Sequence, residues 1–247
     1  MDAVTIALEL AVQDPAGVRV AREVGAARVE LTQALALGGL TPSPATLELA
    51  RAAAGEDGPE IHVLIRPRAG GFRYDSDEIA LSVRDVERAI ADGADGVVIG
   101  ALDSSGSLDL EAMARLRDAA GDACVTLHRA IDVTADPVAT LEGAIALGLR
   151  RVLTSGGAST AMEGVDTLRA LVKAAGGRIE IMAGSGVVAS AAAVLAATGV
   201  DALHFSAKRA VAADGAGVRM GSASDGVGGY EVTDRDAAFA VRQALGI

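Results

Sequence analysis

The sequence is short of thiols, histidines and aromatic residues. Its 247 residues include one cysteine, three histidines, two tyrosines, three phenylalanines and no tryptophan. The single cysteine, Cys124, excludes an intrachain disulfide and a metal site built only of thiolates, and it is typical of a reducing compartment. Because aromatic side chains are so few, the core has to be filled mainly by Val, Ile, Leu and Ala.

Basic charge and long apolar runs are also scarce. The 33 acidic residues outnumber the 22 basic ones and leave a net charge of −11, which argues against a nucleic-acid surface because phosphate neutralisation needs a stripe of Lys and Arg. No apolar run approaches the roughly 20 residues that a membrane-spanning helix needs, and no signal-peptide pattern is found. We therefore expect a cytoplasmic protein without nucleic-acid or membrane partners.

Eight short runs rich in β-branched residues alternate with Ala-rich stretches of helical periodicity. The predicted strands are 5–10, 28–32, 60–66, 95–100, 123–128, 150–155, 179–184 and 201–206. Asp-Pro or Ser-Pro pairs at 14–15, 43–44 and 136–137 place a capping residue before a first-turn proline. Eight βα units predict one α/β domain over 1–247, closed as a TIM-like (β/α)8 barrel with 234–245 as its last helix.

An open, doubly wound sheet is the alternative architecture, and one motif favours it. Residues 184–189, GSGVVA, satisfy the dinucleotide-binding fingerprint between a strand and a helix. That fingerprint usually opens the first βα unit and needs an acidic residue at the end of the following strand, whereas here it lies in the seventh unit and Asp201 begins the eighth strand. The regular repeat of eight units favours the barrel.

Two connections that follow strands are too long to be simple turns. They are 67–77 and the Gly/Ser-rich stretch 207–233. Loops at the carboxyl end of barrel strands build active sites, so both are candidates for lids or binding loops. A dispensable insertion is the other interpretation of 207–233.

Polar and ionisable side chains end most of the predicted strands, although the interior of a barrel should be apolar. They are Glu9, Glu30, Arg66, His128, Thr154, Ser155, His204 and Ser206. Because the carboxyl ends of all the strands meet at one mouth, this clustering predicts a functional site there. A structural ion-pair network that joins Glu9, Glu30 and Arg66 would give the same pattern without catalysis.

The same mouth has the features of an anion site. Cations gather at or just after the strand ends, and the turn 184–186 occupies the place where barrels commonly bind phosphate through backbone N–H groups. The predicted anion-binding residues are Arg66, Arg68, Ser155, Gly156, Gly184, Ser185, Gly186 and Ser206. The glycines are also compatible with a tight turn and no ligand.

One hypothesis is an enzyme that acts on a small anionic or phosphorylated metabolite. Its predicted catalytic residues are Glu30, His128, Glu9, Arg66, Arg129 and Asp132. In this hypothesis Glu30 and His128 exchange a proton with the substrate, while arginines neutralise phosphate or carboxylate oxygens. Isomerase, lyase and hydrolase chemistry all fit, whereas a Schiff-base aldolase is disfavoured because Lys208 is the one lysine near a strand end.

Metal ligands are few, and no two Cys, His or Met residues have the spacing of a metal motif. Cys124 and His62 have the parity of residues that point into the barrel, and we expect them to be core residues.

Several long segments occur in the same order in a known family. They are VELTQALALGGLTPS (29–43), IRPRAGGFRY (65–74), VTLHRAID (125–132), RVLTSGG (151–157), IMAGSGV (181–187) and LHFSAKR (203–209). On these segments the sequence resembles the CutC family, which is named for copper homeostasis. The resemblance implies a TIM-like barrel, a cytoplasmic location, a homo-oligomer, and copper(I) binding or copper tolerance. For copper(I) binding, the candidate ligands in this sequence are Cys124 and His128.

The resemblance also extends to single positions. Those that match the polar mouth of the family are Glu9, Glu30, Arg66, Arg68, His128, Arg129, Asp132 and Ser155, and Gly184 and Gly186 match its glycine turn. Thr32 stands where family members often have a cysteine, and Gly71 where an acidic or amide residue is common. The hypotheses are therefore a non-enzymatic copper-handling protein, the enzyme described above, and a scaffold for a partner protein.

Overall fold

The structure is a computed structural model that describes residues 6–212 and 229–247. Its first eight strands are β1 (Ala7–Val12), β2 (Arg28–Leu31), β3 (Glu60–Leu64), β4 (Gly96–Ile99), β5 (Cys124–Leu127), β6 (Arg151–Thr154), β7 (Glu180–Gly184) and β8 (Ala202–Phe205). The helices are α1 (Pro15–Glu23), α2 (Pro44–Ala54), α3 (Ser76–Ala91), α4 (Leu110–Ala119), α5 (Pro137–Ala146), α6 (Val165–Ala175), α7 (Ala189–Ala196) and α8 (Arg235–Ala244). Two 3₁₀ turns, Leu35–Leu37 and Arg129–Val133, follow β2 and β5.

The eight strands are parallel and form a closed barrel in chain order, with β8 paired to β1. A helix follows each strand, so the predicted TIM-like (β/α)8 barrel is confirmed and the open sheet is wrong. Each strand begins and ends within two residues of its predicted bounds. Closure brings the carboxyl ends of all eight strands to one mouth of the barrel.

The predicted capping residues begin their helices. Asp14 accepts a hydrogen bond from the N–H of the third residue of α1 at 2.7 Å, and Ser43 and Asp136 do the same for α2 and α5. Helix α7 starts differently, because Val188 precedes it and no side chain caps its first turn. Its first N–H groups are therefore left without a side-chain acceptor.

The core is aliphatic, as the composition predicts. Its largest fully buried side chains are Leu10, Leu31, Ile61, Ile99, Met113, Leu127, Ile131, Leu141, Leu168, Leu171, Ile181 and Met182. Burying each such side chain contributes about 1.5–3 kcal/mol. None of the helices that the structure describes is both long enough and apolar enough to cross a bilayer.

The predicted long connection 207–233 begins and ends in strand structure. Strand β9 (Lys208–Ala212) pairs antiparallel with β10 (Gly229–Thr233), so that Lys208 lies opposite Thr233. These strands lie largely at the surface and carry no clear alternation of apolar residues, which is why the sequence pattern does not predict them. The remainder of the connection, 213–228, lies outside the described residues.

Helix α2 offers a matched test of this packing. Leu47 is 2% exposed and Leu49 is 56% exposed on the same helix. Leu47→Ala should lower the free energy of unfolding by about 2–5 kcal/mol, because it removes buried methyl groups and leaves a cavity. Leu49→Ala should change it by less than about 0.5 kcal/mol. Urea unfolding of both variants makes the comparison, and equal effects would contradict the orientation of α2.

Candidate functional site

Four charged or ionisable side chains contact one another inside the barrel, from Arg28 at the amino end of β2 to Glu30 near its carboxyl end. Strand pairing places Glu9 beside Arg28 on β2 and beside His204 on β8. Arg28 Nε donates to Glu9 Oε2 at 2.9 Å, and His204 Nδ1 lies 2.8 Å from Glu9 Oε1. His204 Nε2 lies 3.3 Å from Glu30 Oε2. His204 therefore joins the two carboxyl groups.

The environment gives these groups different charges. Burial alone would raise the pKa of Glu9, but the hydrogen bond from His204 and the charges of His204 and Arg28 outweigh burial and hold the pKa well below its usual range. Burial raises the pKa of Glu30 to about 7, although the charge of His204 opposes the shift. Burial would lower the pKa of His204, yet the carboxylates of Glu30 and Glu9 raise it. At neutral pH Glu9 is therefore an anion and Glu30 is close to half-protonated, while the two carboxyl groups favour the charged form of His204.

A cavity of about 610 Å³ opens at the carboxyl mouth of the barrel. Its volume is within the range of small-molecule sites. Glu30 and His204 lie in its wall, together with residues from the loops after several strands. The other polar or charged lining residues are Arg66, His128, Arg129, Ser185, Ser206 and Lys208. The predicted clustering at the strand ends is therefore observed.

His128 is a neutral histidine among the residues that line this cavity. Its Nδ1 accepts the N–H of Ala130 at 3.1 Å, so its proton lies on Nε2. Burial, and then the charge of Arg66, lowers the pKa of His128 to about 3. The predicted pairing of Glu30 with His128 in proton exchange is corrected accordingly, because His204 is the histidine that contacts Glu30 and His128 has no free base nitrogen.

Arg66 is buried and ties two loops together. Its Nη1 donates to the carbonyl oxygens of Leu37 and Gly39 at 3.0 and 2.9 Å, and its Nη2 donates to that of Gly70 at 2.8 Å. Its Nε has no partner among the described residues. Arg66 therefore acts as a positioning residue for these loops, and its predicted catalytic and anion-binding role stays a prediction.

Arg68 does not line the cavity, although it was a predicted anion ligand. Its guanidinium forms an ion pair with Glu78 and lies 5.1 Å from the centre of the Tyr74 ring. It also donates to the carbonyl oxygens of Gly71 and Arg73. Arg68 therefore organises the loop before α3, because its guanidinium is occupied by Glu78 and by the carbonyl groups of that loop.

Asp132 organises the loop after β6. Its carboxylate accepts hydrogen bonds from Thr154 Oγ1 at 2.5 Å, from the N–H of Ser155 at 3.0 Å and from the N–H of Gly157 at 3.1 Å. Arg129 Nε also donates to it at 2.7 Å. With both oxygens occupied, Asp132 acts as a positioning residue for Arg129, which lines the cavity. The structure thus replaces the predicted catalytic role of Asp132 with a positioning role.

Ser155 and Gly156, two further predicted anion ligands, do not line the cavity. Ser155 Oγ donates to the carbonyl oxygen of Ala158 at 2.6 Å and accepts from Arg129 Nη2 at 2.8 Å. Gly156 has a φ of 73°, and a Cβ there would lie 2.4 Å from the carbonyl oxygen of Gly164. Both residues are needed for the packing of this loop.

The turn after β7 agrees better with the predicted anion site. Ser185, Gly186 and the two valines that lead into α7 line the cavity, and α7 has no side-chain cap. Ser185 has a φ of 80°, a conformation that costs a non-glycine residue about 1–2 kcal/mol. Gly184 is buried, and a Cβ there would lie 2.5 Å from Leu153 Cδ1. Free N–H groups at a helix start suit an anion.

The two candidate copper ligands lie at opposite ends of one strand. Cys124 begins β5, and His128 follows its last residue. At about 3.3 Å per residue the two are roughly 13 Å apart, so one ion cannot bind both. Burial raises the pKa of the Cys124 thiol, and Arg151 Nη1 lies 3.7 Å from its sulfur. Thr32, in the position of the family cysteine, is fully buried and donates to the carbonyl oxygen of Leu40 at 2.9 Å.

Copper(I) prefers thiolate and thioether ligands. No cysteine or methionine of the described residues lines the cavity. The group whose ligand atoms lie within 4.8 Å of one another consists of Glu9, Glu30 and His204, and carboxylates with imidazole suit harder divalent ions better. The described residues that line this cavity do not fit a copper(I) site.

Two important residues were not among the predicted site residues. His204 was noted only as a polar strand end, and Arg28 was not noted. The contact of His204 with Glu9 joins residues 195 positions apart, so it depends on the closure of the barrel. Arg28 is the first residue of β2, and no sequence pattern marks a charged residue at that position as functional.

Known proteins resemble this chain over most of its length. A model described as the CutC family matches residues 6–209. A protein of Xanthomonas campestris pv. campestris (strain B100), named as a family protein CutC, is 50% identical over 207 residues, which are 83% of this chain and 85% of that protein. A protein of Xylella fastidiosa (strain Temecula1 / ATCC 700964) with the same name is 46% identical over 237 residues, covering 94% and 86%.

A solved structure agrees with these relatives. It comes from Streptococcus agalactiae and is named provisionally as a copper homeostasis protein CutC. Its TM-score is 0.78 at 32% identity, and the match covers 81% of this chain and 98% of that one. The resemblance expected from the sequence motifs is confirmed.

Glu9→Gln should lower the free energy of unfolding by about 3–5 kcal/mol, because the buried charge of Arg28 loses its carboxylate. It should also lower the pKa of His204, which the Glu9 carboxylate helps to raise. Urea unfolding and ¹⁵N NMR of labelled histidines measure the two effects. Glu60→Gln is the matched control, because Glu60 contacts buried His62 from a side chain that is 58% exposed. Similar decreases in the free energy of unfolding for both variants would contradict a stabilising role for the buried contacts of Glu9 with Arg28 and His204.

Proposed function

The chain belongs to the CutC family, and we propose that it is an enzyme that moves a proton on a small anionic metabolite at the carboxyl mouth of the barrel. By its family and the names of its relatives it is a protein of the CutC copper homeostasis type. The observation that supports an enzyme is the carboxyl group of Glu30, which has a pKa of about 7 and lies beside His204 in the cavity wall.

In this proposal Glu30 is the general base. A base works best when its pKa is close to the working pH, and an ordinary glutamate is too weak a base. His204 contacts the Glu30 carboxylate at 3.3 Å and supplies a positive charge when the substrate proton leaves. Glu9 and Arg28 are positioning residues, because they hold the ring and the charge of His204.

The anionic end of the substrate would bind at the turn after β7. The uncapped start of α7 offers N–H groups, and Ser206 and Arg129 line the same cavity. Lys208 also lies in the wall, but its Nζ is 2.7 Å from Glu231 Oε1 on β10. We therefore assign anion binding first to residues 185–189 and Ser206. The homo-oligomer and the cytoplasmic location that the family resemblance implies stay predictions.

Copper handling is the second candidate, and the names of the relatives favour it. Its chemical basis would have to be Cys124 at the amino-terminal mouth, since the cavity offers mainly oxygen and imidazole ligands. In that case the cavity at the carboxyl mouth would have no part in copper binding.

The enzyme proposal predicts exchange of a substrate proton with solvent. A panel of small phosphorylated and carboxylated carbonyl compounds is incubated with the protein in deuterium oxide, and ¹H NMR follows the protons next to the carbonyl. At least one compound should lose such a signal, and Glu30→Gln should slow the exchange by about 10²-fold or more. The rate should rise with pH through about 7, because Glu30 must lose its proton to act as the base.

A matched control is Glu60→Gln, which removes a carboxylate outside this cavity and should leave the exchange rate unchanged. Exchange that is equally fast in Glu30→Gln would contradict the assignment of the base. Absence of exchange across the whole panel would contradict the proposed reaction.

A competition titration with a calibrated chelator under anaerobic conditions tests the copper candidate. We expect no tight one-to-one copper(I) binding that depends on the cavity, so Glu30→Gln should leave any copper(I) affinity unchanged. Whatever affinity exists should be lost in Cys124→Ser, because copper(I) prefers a thiolate. Tight binding that Glu30→Gln abolishes would instead favour copper as the ligand of the cavity.

A further inference from the structure

A second cavity, of about 550 Å³, opens at the amino-terminal mouth of the barrel. Its wall contains the first residues of β2, β3, β5, β6 and β7, together with residues of α4 and of the loops before β5 and β6. Of the described residues, none lines both this cavity and the one at the carboxyl mouth. The arginines among the described lining residues are Arg28, Arg117, Arg150 and Arg151. Four guanidinium groups around one cavity, in a chain with a net charge of −11, need an explanation.

One carboxyl group of this wall, that of Glu180, takes up part of the arginine charge. Its Oε1 accepts from Arg150 Nε at 3.2 Å, and its Oε2 accepts from Arg151 Nε at 2.8 Å. Arg151 is 3% exposed, and its Nη1 is directed to Cys124 Sγ at 3.7 Å and Thr126 Oγ1 at 3.2 Å. Arg151 is therefore fixed and mainly contributes charge. The Arg150 side chain is 70% exposed, and its two terminal nitrogens have no acceptor among the described residues.

Arg28 is the lining residue that points most directly to a ligand. It is 7% exposed, its Nε donates to Glu9 Oε2 at 2.9 Å, and its Nη2 lies 3.9 Å from Met182 Sδ. Its Nη1 has no acceptor in the described part of the chain, and it is not one of the unpaired side-chain atoms that are closed to solvent. Nη1 therefore keeps accessible surface. Because Arg28 lines the cavity at the amino mouth, this free N–H group opens into that cavity.

The arginine charges converge on one part of the wall. Burial raises the pKa of the Cys124 thiol, and the charges of Arg151 and Arg28 both oppose that rise, as expected of guanidinium groups close to the thiol. The two further acids of the wall, Glu60 and Asp122, are exposed and can turn toward solvent. The wall therefore offers free N–H donors beside positive charge, which suits a negatively charged oxygen.

We propose that the cavity at the amino mouth binds the phosphate group of a small molecule, held by Arg28 Nη1 and by the terminal N–H groups of Arg117 and Arg150. Guanidinium groups donate to phosphate through paired N–H groups. The Arg117 side chain is 42% exposed, and its closest carboxylate oxygen, Asp118 Oδ1, lies 3.5 Å from Nη1, so its other N–H groups stay free for a ligand. The three arginines come from β2, α4 and the loop before β6. A tetrahedral phosphate presents oxygens in all these directions, whereas a planar carboxylate has two oxygens in one plane.

The test uses the single cysteine of the chain as the reporter. Cys124 lines this cavity, so protein labelled with ¹⁵N-cysteine gives one amide signal, and that signal reports on the amino mouth. Inorganic phosphate and methyl phosphate, titrated at constant ionic strength, should each shift the signal until it saturates. Malonate should bind more weakly, because it offers carboxylates only. Potassium chloride should produce no saturable shift.

Arg117→Gln and Arg150→Gln should each raise the dissociation constant of inorganic phosphate about tenfold, because each removes a charged hydrogen-bond donor. Both side chains are well exposed, so the variants should fold. Arg169→Gln is the matched control, because its side chain is 52% exposed and it lies outside the cavity. This variant should keep the wild-type dissociation constant.

Arg28→Lys tests the buried donor. The lysine keeps a positive charge beside Glu9, but its one nitrogen cannot replace both Nε and Nη1, so phosphate should bind more weakly. Urea unfolding checks that the variant is folded, and the two exposed variants carry the test if it is not. Unchanged phosphate affinity in folded Arg28→Lys would contradict the proposal.

A Cys124 signal that does not respond to either phosphate compound in the wild-type protein would overturn the proposal. A saturable shift with the same dissociation constant in Arg117→Gln and Arg150→Gln would also overturn it. Tighter binding of malonate than of inorganic phosphate would contradict the choice of phosphate. The proposed reaction at the carboxyl mouth is tested separately, by the exchange that depends on Glu30, so either proposal can fail without the other.

Discussion

The carboxylate of Glu9, held between Arg28 and His204, is the contact on which the rest of the site depends. It joins β1 to β2 and to β8, the two neighbours that close the barrel around it. A buried carboxylate without partners would be protonated or would destabilise the fold. With both partners it stays charged, helps to raise the pKa of His204 and so contributes to the environment of Glu30. The Glu9 carboxylate therefore contributes both to the stability of the barrel and to the proposed chemistry.

The site divides into residues that position and residues that meet a ligand. Arg66 donates to backbone carbonyl groups, and Asp132 accepts from backbone N–H groups and from neighbouring side chains, so both hold the loops that surround the cavity. Glu30, His128 and Ser206 are left facing it. The loops of this barrel have little secondary structure of their own. Buried charged side chains therefore fix the shape of the loops, while other side chains are left to meet a ligand.

Several features were predictable because they depend on short stretches of sequence. Strand bounds follow from runs of β-branched residues, and helix starts follow from residues such as Asp14 and Asp136 that precede a proline. The grouping of Glu30 and His128 at one mouth followed as well, since every strand of a parallel barrel ends on the same side. By contrast, Arg68 has the charge and position of an anion ligand, yet local turn geometry directs it to Glu78.

The sequence by itself determined the barrel and the mouth at which its polar residues gather, because both follow from local periodicity repeated eight times. Only the tertiary structure decided which polar residues meet. Glu9 and His204 are 195 positions apart and touch because the last strand pairs with the first. His128 and Glu30 both lie at the mouth, yet burial lowers the pKa of His128 to about 3 and raises that of Glu30 to about 7. Contacts and burial are properties of the closed barrel, and no local pattern encodes them.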